Sequence, residues 1–113
     1  MLTKDEMDIV FHALANEHRR RMLDLLKASP GLSVGQLALE FDVSRIAVMN
    51  HLAVLERAAL ISSVKEGRSR RLYLNTVPIQ QIHDRWTSEY SAHWARHLND
   101  IKYAAEKTKR SGR

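Results

Sequence analysis

The chain has 113 residues, of which 18 are Lys or Arg and 13 are Asp or Glu, so its formal net charge is +5. This length allows one domain or one protomer of a dimer, and the positive charge favours a polyanion as partner. The lack of cysteine excludes disulfides and thiolate metal sites, and no apolar run approaches the roughly 20 residues that span a bilayer, which predicts a cytoplasmic protein with no membrane partner.

The first half of the chain has the pattern of four helices. Thr3 is a candidate N-cap for a first helix through "KDEMDIVFHALA", in which apolar residues recur at helical spacing. A second helix, "EHRRRMLDLLKAS", is stopped by the turn "SPG". Ser33 then caps "LSVGQLALEFD", and the short turn "DVS" leads into a fourth helix behind Ser44. Two short helices joined by a tight turn predict a helix-turn-helix.

The second half begins with β-rich runs and ends in helix. "LISSVKE" and "SRRLYLN" fit alternating burial, and the glycine of "EGRS" suits a turn, so we predict a β-hairpin. From Pro78 a single helix of roughly 30 residues is predicted. Its aromatic and aliphatic stripe favours the same helix of a second subunit as partner. We place one domain over residues 1–108 and expect residues 109–113 to form a disordered basic tail.

Three motifs resemble the ArsR family of winged helix-turn-helix transcriptional repressors. They are "FHALANEHRRRMLDLL", "SVGQLALEFDVSRIAVMNHLAVLERAALI" and the hairpin "EGRSRRLYL". The closing "DRWTSEYSAHWARHL" is similar to a subgroup that lacks metal-binding cysteines and has a tryptophan-rich last helix. The resemblance implies a mainly α fold with a β-hairpin wing, double-stranded DNA as partner, a homodimer, and repression of an inverted-repeat site, with autoregulation as a further possibility.

In a helix-turn-helix, the outward face of the second helix enters the major groove. Asn50 suits two hydrogen bonds to an adenine edge, Arg45 suits guanine or a phosphate, and Ile46 and Met49 suit thymine methyls. Met49 departs from the family, which usually has a small hydroxyl residue there. Ser44 is predicted to cap the helix and to touch a phosphate. His51 is either a DNA contact or a half-buried residue that positions the helix.

The hairpin carries the second group of candidate DNA contacts, all of them cationic: Lys65, Arg68, Arg70 and Arg71. Such a tip suits a phosphate backbone or the minor groove. Among Arg19, Arg20 and Arg21, we expect one or two to pair with acids such as Glu17 or Asp24, and Arg19 or Arg20 to be candidates for phosphate.

The predicted dimer interface combines the first and last helices. Its members share helical spacing and apolar character, and they are Val10, Leu14, Ile82, Trp86, Tyr90, Trp94, Leu98 and Ile101.

Other functions fit the sequence less well. A metal sensor on the last helix would use Asp84, Trp86, His97 and Asp100, and tryptophan cannot ligate; His93 with His97 or His83 with Asp84 would give only part of a site. A dimeric interaction module without DNA binding and an unknown small-molecule effector among the aromatics remain alternatives. No catalytic motif is present, so we expect no enzyme activity, no cofactor and no metal.

Overall fold

A computed structural model describes the backbone of residues 1–87 and 89–111 and the side chains of residues 1–87 and 94–107. Two compact units form, Met1–Ile82 and His83–Arg113. In chain order the elements are α1 Lys4–Leu14, α2 Glu17–Ala28, β1 Leu32–Ser33, α3 Val34–Ala38, α4 Arg45–Arg57, β2 Ile61–Glu66, β3 Ser69–Leu74, α5 Val77–Trp86 and α6 Glu89–Ser111.

The helices of the first unit begin at side-chain caps. Thr3 accepts from the Glu6 amide at 3.1 Å, and Asn16 accepts from the Arg19 amide at 3.1 Å. Ser33 forms a reciprocal capping box with Gln36. These bonds satisfy N–H groups that have no partner within the helix, so they fix where each helix starts. The caps predicted at Thr3 and Ser33 are confirmed.

One apolar core holds α1, α2, α3, α4 and the sheet together in the first unit. Its fully buried members come from every one of these elements and include Val10, Met22, Leu26, Leu37, Val48, Leu55, Leu60 and Leu72. Burial of such side chains contributes about 1.5–3 kcal/mol each. The core therefore fixes α4 by one face and leaves its other face free.

The sheet is antiparallel with strand order β1-β3-β2. β2 and β3 form the predicted hairpin, with Gly67 at φ 61° in the turn. β1 adds a third strand through the pairs Leu32↔Leu72 and Ser33↔Arg71. The sequence did not predict β1, because two residues are too short for an alternation pattern and Ser33 also serves as a helix cap.

A tight end of α4 leads directly into the hairpin. The Leu60 amide donates to the Leu55 carbonyl at 3.0 Å and the Ala59 amide to the Glu56 carbonyl at 2.9 Å. Ala59 has φ 57°, the left-handed conformation that this helix ending requires. Strand β2 therefore starts at a fixed angle to α4, and the hairpin stands beside the exposed face of that helix.

The sequence predicted a single helix from Pro78, whereas the structure forms two, α5 and α6. The Thr87 hydroxyl donates to the His83 carbonyl at 2.6 Å. In a continuous helix that carbonyl would accept from the backbone N–H of residue 87, so the side chain competes with the helical bond. The backbone of α6 continues to Ser111, past the predicted boundary at residue 108, and Gly112 and Arg113 lie outside the described residues.

None of the helices within the described ranges has both the length and the apolar composition that a membrane crossing requires.

Candidate nucleic-acid interface

The exposed face of α4 is defined by its cap and by its buried side. The Ser44 hydroxyl accepts from the Ala47 amide at 3.1 Å, which confirms the predicted N-cap. Val48, Leu52 and Leu55 face the core. Other residues in the first two turns of α4 point outward: Arg45 and Asn50 are exposed, and Ile46 and Met49 remain 74% and 41% exposed. A water-facing position for two large apolar side chains has no stabilising role in the isolated chain.

A groove of about 470 Å³ runs between this face and the hairpin. It brings together an amide, three guanidinium groups and three apolar side chains. The residues that line it are Val34, Arg45, Ile46, Met49, Asn50, Arg68 and Arg70. Four of the recognition residues predicted from the sequence and two of the hairpin cations therefore share one surface.

The hairpin cations lie on different faces because side chains alternate along a strand. Arg70 is the cross-strand partner of Lys65 and shares its face with buried Leu72. Its guanidinium forms an ion pair with Glu56 of α4 at 2.8 Å and donates to Ser63 at 2.6 Å. Arg70 therefore ties the hairpin to the end of α4.

Arg71 lies on the opposite face of β3. Its Nη1 donates to the Gly31 carbonyl at 3.4 Å and to Gln36 at 3.5 Å, and its Nε lies 3.5 Å from a Glu66 carboxylate oxygen. Arg71 does not line the groove. Its contacts join β3 to the turn before β1 and to α3.

Three cations of this region keep their charge free. Within the described ranges, Arg45, Lys65 and Arg68 form no hydrogen bond or ion pair with the protein. Arg45 lies in the first turn of α4 and Arg68 beside Gly67 at the hairpin tip, so they line the groove from two different elements. Free positive charge is thus available from both α4 and the hairpin.

His51 does not line the groove, and on one side its ring contacts α2. Its Nδ1 is 3.2 Å from Nη1 of Arg19, and its ring centroid is 5.6 Å from that of His18. Burial lowers the pKa of His51 below its ordinary value of 6.5, and the positive charge of Arg19 and the neighbouring His18 lower it further. The ring is therefore neutral near pH 7.

The three consecutive arginines of α2 contact α1 and Phe41 and do not pair with acids in the described part of the chain. Arg19, 8% exposed, donates to the His12 and Ala13 carbonyls, and Arg20 donates to the Leu14 carbonyl at 2.8 Å. Arg21 stacks over Phe41 with 5.1 Å between guanidinium carbon and ring centroid. Within the described residues neither Glu17 nor Asp24 pairs with them, so that prediction is wrong. Cations suit the carbonyl end of α1, where helical acceptors lack partners.

The predicted interface residues differ in exposure. Val10 is 1% exposed in the core of its own chain, so its side chain is not available to a second chain. Leu14 and Ile82 pack partly against that core. The remaining described members are exposed, at 57% for Trp86, 46% for Trp94, 61% for Leu98 and 53% for Ile101. Tyr90 lies outside the described side chains.

Within the side chains that the structure describes, no group of three or more His, Cys, Asp or Glu is placed to hold a metal ion. His83 and Asp84 lie 3.3 Å apart as a pair, and His97 packs edge-on against Trp94 with ring centroids 5.7 Å apart. His93 is outside the described side chains.

Comparison with known proteins identifies this arrangement. A family model described as a helix-turn-helix domain matches residues 14–64. The transcriptional repressor SdpR of Bacillus subtilis is 35% identical over 74 residues, which cover 66% of this chain and 81% of SdpR. The transcriptional activator HlyU of Vibrio cholerae is 36% identical over 74 residues, 66% of this chain and 68% of HlyU.

Solved structures share the fold. An ArsR-like transcriptional regulator from Rhodococcus sp. RHA1 is 34% identical, with a TM-score of 0.67 over 91% of this chain and 93% of that one. These relatives are regulators of transcription and their family is not one of enzymes. The helix-turn-helix, the hairpin wing and these similarities together show that the chain belongs to the ArsR family of winged helix-turn-helix transcriptional regulators, which bind DNA.

Proposed function

We propose that the protein is a homodimeric repressor that reads DNA sequence with the exposed face of α4. The observation that carries this proposal is the groove that brings the Asn50 amide onto one surface with the unpaired cations Arg45 and Arg68. A neutral hydrogen-bonding group that shares a surface with free positive charge suits a base edge beside a phosphate backbone. A protein with this role acts on the chromosome, so we place it in the cytoplasm.

The groove residues divide the work of recognition by their chemistry. Asn50 donates to and accepts from an adenine edge, and a bidentate contact of this kind discriminates bases by about 1–3 kcal/mol. Arg45 reaches guanine or a phosphate from the first turn of α4. Ile46 and Met49 press on thymine methyl groups, which explains why two large apolar side chains face water in the free protein.

The wing supplies affinity that does not depend on sequence. Lys65 and Arg68 neutralise phosphates. Each neutralised phosphate makes the negative slope of log affinity against log salt concentration steeper by about 0.9. Arg70, paired with Glu56, holds the wing at its angle to α4. Ser44, at the N-terminus of α4, stands where a phosphate meets the free amides of the helix.

A second copy of the chain covers the apolar face of α6. Trp94, Leu98 and Ile101 recur at spacings of four and three along this helix and are all exposed. A two-fold axis would set the two α4 helices about 34–36 Å apart in successive major grooves. The preferred site is then an inverted repeat, and a dimer bound across a promoter excludes RNA polymerase. The similarity to SdpR, a transcriptional repressor, supports repression. HlyU is a transcriptional activator, so activation is the other outcome to be tested.

Footprinting on the DNA upstream of the protein's own gene, combined with a reporter driven by that DNA, tests this function. We expect a protected inverted repeat and a reporter signal that falls when the protein is expressed. Binding of similar strength to every fragment, with no footprint, would contradict sequence reading. A footprint with a rising reporter signal would contradict repression and leave DNA recognition standing.

A further inference from the structure

We propose that Arg19 is a positioning residue for DNA recognition, which holds His51 in the tautomer that presents its Nε2–H to a hydrogen-bond acceptor of the DNA. This inference rests on the proposed function, because it assigns a DNA contact to His51 of α4. Arg19 of α2 acts through His51 and does not itself contact the DNA.

All three nitrogens of the Arg19 guanidinium are directed at fixed partners. Nε donates to the Ala13 carbonyl at 2.8 Å, Nη2 donates to the His12 carbonyl at 2.9 Å, and Nη1 lies 3.2 Å from Nδ1 of His51. The side chain is almost fully buried. Because the planar fork has little freedom to reorient, it sets the position of the His51 ring relative to the end of α1.

The chemistry of the guanidinium fixes the proton on the imidazole. Arginine carries only N–H donors and has no acceptor, so Nδ1 of His51 must be the acceptor of this bond. A neutral imidazole with a bare Nδ1 carries its proton on Nε2. A protonated ring would face Arg19 with a second donor, and the lowered pKa of His51 agrees with a neutral ring.

The surroundings of His51 add to the same preference. Arg19 and His18, both on α2, are the charged or titratable groups that act on it. The His18 ring packs against His51 on one side and, with centroids 5.9 Å apart, against Phe41 on the other. A proton on Nδ1 of His51 would place its positive charge directly beside the buried guanidinium of Arg19.

The Nε2–H of His51 has no protein partner in the described residues. Nε2 lies across the ring from Nδ1, so it points away from Arg19, and His51 is only partly buried. The residue follows Asn50 directly on α4. A donor held in one orientation on a DNA-reading helix is prepared for a phosphate oxygen or a base acceptor, since the cost of ordering it is met on folding.

Nitrogen-detected NMR of the imidazole rings tests the Arg19 contact without any DNA. In the wild-type protein we expect His51 to carry its proton on Nε2, with a pKa below the ordinary value. In Arg19→Met the pKa of His51 should rise and the Nδ1–H tautomer should become populated. A wild-type ring protonated on Nδ1, or a His51 titration unchanged in Arg19→Met, would overturn the proposal.

Two matched variants of His51 test the DNA contact and do not depend on whether Arg19→Met folds. The Asn amide occupies the place of Nδ1, so His51→Asn keeps an acceptor for Arg19 and loses the outer donor. The Gln amide nitrogen reaches the place of Nε2, so His51→Gln keeps that donor. We expect His51→Asn to lose roughly ten- to a hundredfold in DNA affinity and His51→Gln to lose much less.

The DNA used in this comparison separates the possible results. An equal loss on operator and scrambled DNA would indicate a phosphate acceptor, and a loss on the operator alone would indicate a base edge; either supports the inference. Equal affinities of His51→Asn and the wild type would overturn it. If the wild type itself binds no operator, the proposed function fails, while the tautomer measured by NMR still decides the Arg19 contact.

Discussion

The wing cations divide into two groups by the contacts they already make. Arg70 and Arg71 are adjacent in sequence, yet one is tied to Glu56 of α4 and the other to Glu66, Gln36 and the Gly31 carbonyl. A paired guanidinium has part of its charge neutralised and fewer N–H donors free, so it contributes less to phosphate binding. The charge available to DNA therefore lies on unpaired residues such as Arg68 at the tip.

We expect Arg68→Ala to weaken binding to operator and scrambled DNA alike and to reduce the salt slope by about 0.9, the value for one phosphate. Arg71→Ala is the matched control, because it removes the same charge from the same hairpin at a residue that does not line the groove. Fluorescence anisotropy across a salt series measures both slopes. An equal reduction of the slope in the two variants would contradict the division.

The lowered pKa of His51 makes folding stability depend on pH. The unfolded chain takes up this proton more readily than the folded protein, so the unfolded state gains as the pH falls. Stability should be complete above pH 6.5 and should decline below it, towards the lower pKa of the folded state. We expect His51→Asn to lack this component.

Urea unfolding between about pH 7.5 and pH 5.5 gives the comparison, with the wild type losing more stability than His51→Asn across that interval. Parallel curves for the two proteins would show that His51 has an ordinary pKa in the folded chain.

For the individual elements, local chemistry predicts where a helix starts better than where it ends. The caps at Thr3, Ser33 and Ser44 could be read directly, because each is a hydroxyl residue ahead of a helical pattern. The early end of α3 at Ala38 and the division at Thr87 could not be read, since helical residues continue on both sides. The two-residue strand β1 depends on pairing with β3, which is a tertiary contact.

Ser44 has two proposed roles, and two substitutions separate them. Ser44→Ala removes the bond to the Ala47 amide and should cost about 1 kcal/mol of stability. Ser44→Asp keeps an N-cap of similar quality and adds a negative charge that suits the start of a helix. That same charge would face a phosphate, so Ser44→Asp should fold normally and lose roughly tenfold or more in DNA affinity.

Thermal unfolding and DNA titration of both Ser44 variants provide the measurements. Ser44→Asp with wild-type DNA affinity would place Ser44 away from the phosphates and leave it as a cap alone.

For the whole molecule, the predicted order of elements was enough to identify the winged helix-turn-helix. The composition of the core gives the reason. Apolar spacing on α1, α2 and α4 identified most buried positions, because each helix has one apolar side. Periodicity does not say which apolar residues face the own core and which face another chain, so Val10 and Trp94 look alike in sequence. The burial of Arg19 was equally hidden, since its partner His51 lies 32 residues away.

We expect Trp86→Ala with Trp94→Ala to convert the protein from dimer to monomer. A tryptophan buries roughly 150–250 Å², and the half that is exposed in the single chain corresponds to roughly 2–3 kcal/mol per residue. Tyr103→Ala is the control, because Tyr103 is 69% exposed on a different side of α6. Sedimentation velocity reports the state of each variant. A double variant that remains dimeric would place the dimer contact elsewhere in the chain.

In the proposed function, the groove beside α4 reads base sequence through Asn50. The most direct test compares wild type, Asn50→Ala and Asn99→Ala on operator and scrambled DNA across a salt series. Asn99→Ala is the control, because it removes an exposed amide from α6 at a residue that does not line the groove. We predict that Asn50→Ala loses roughly tenfold or more on the operator, with scrambled-DNA affinity and salt slope unchanged and Asn99→Ala equal to wild type. Base reading through Asn50 is contradicted if Asn50→Ala retains its affinity for the operator. It is also contradicted if Asn50→Ala loses affinity equally for both DNAs and its salt slope changes.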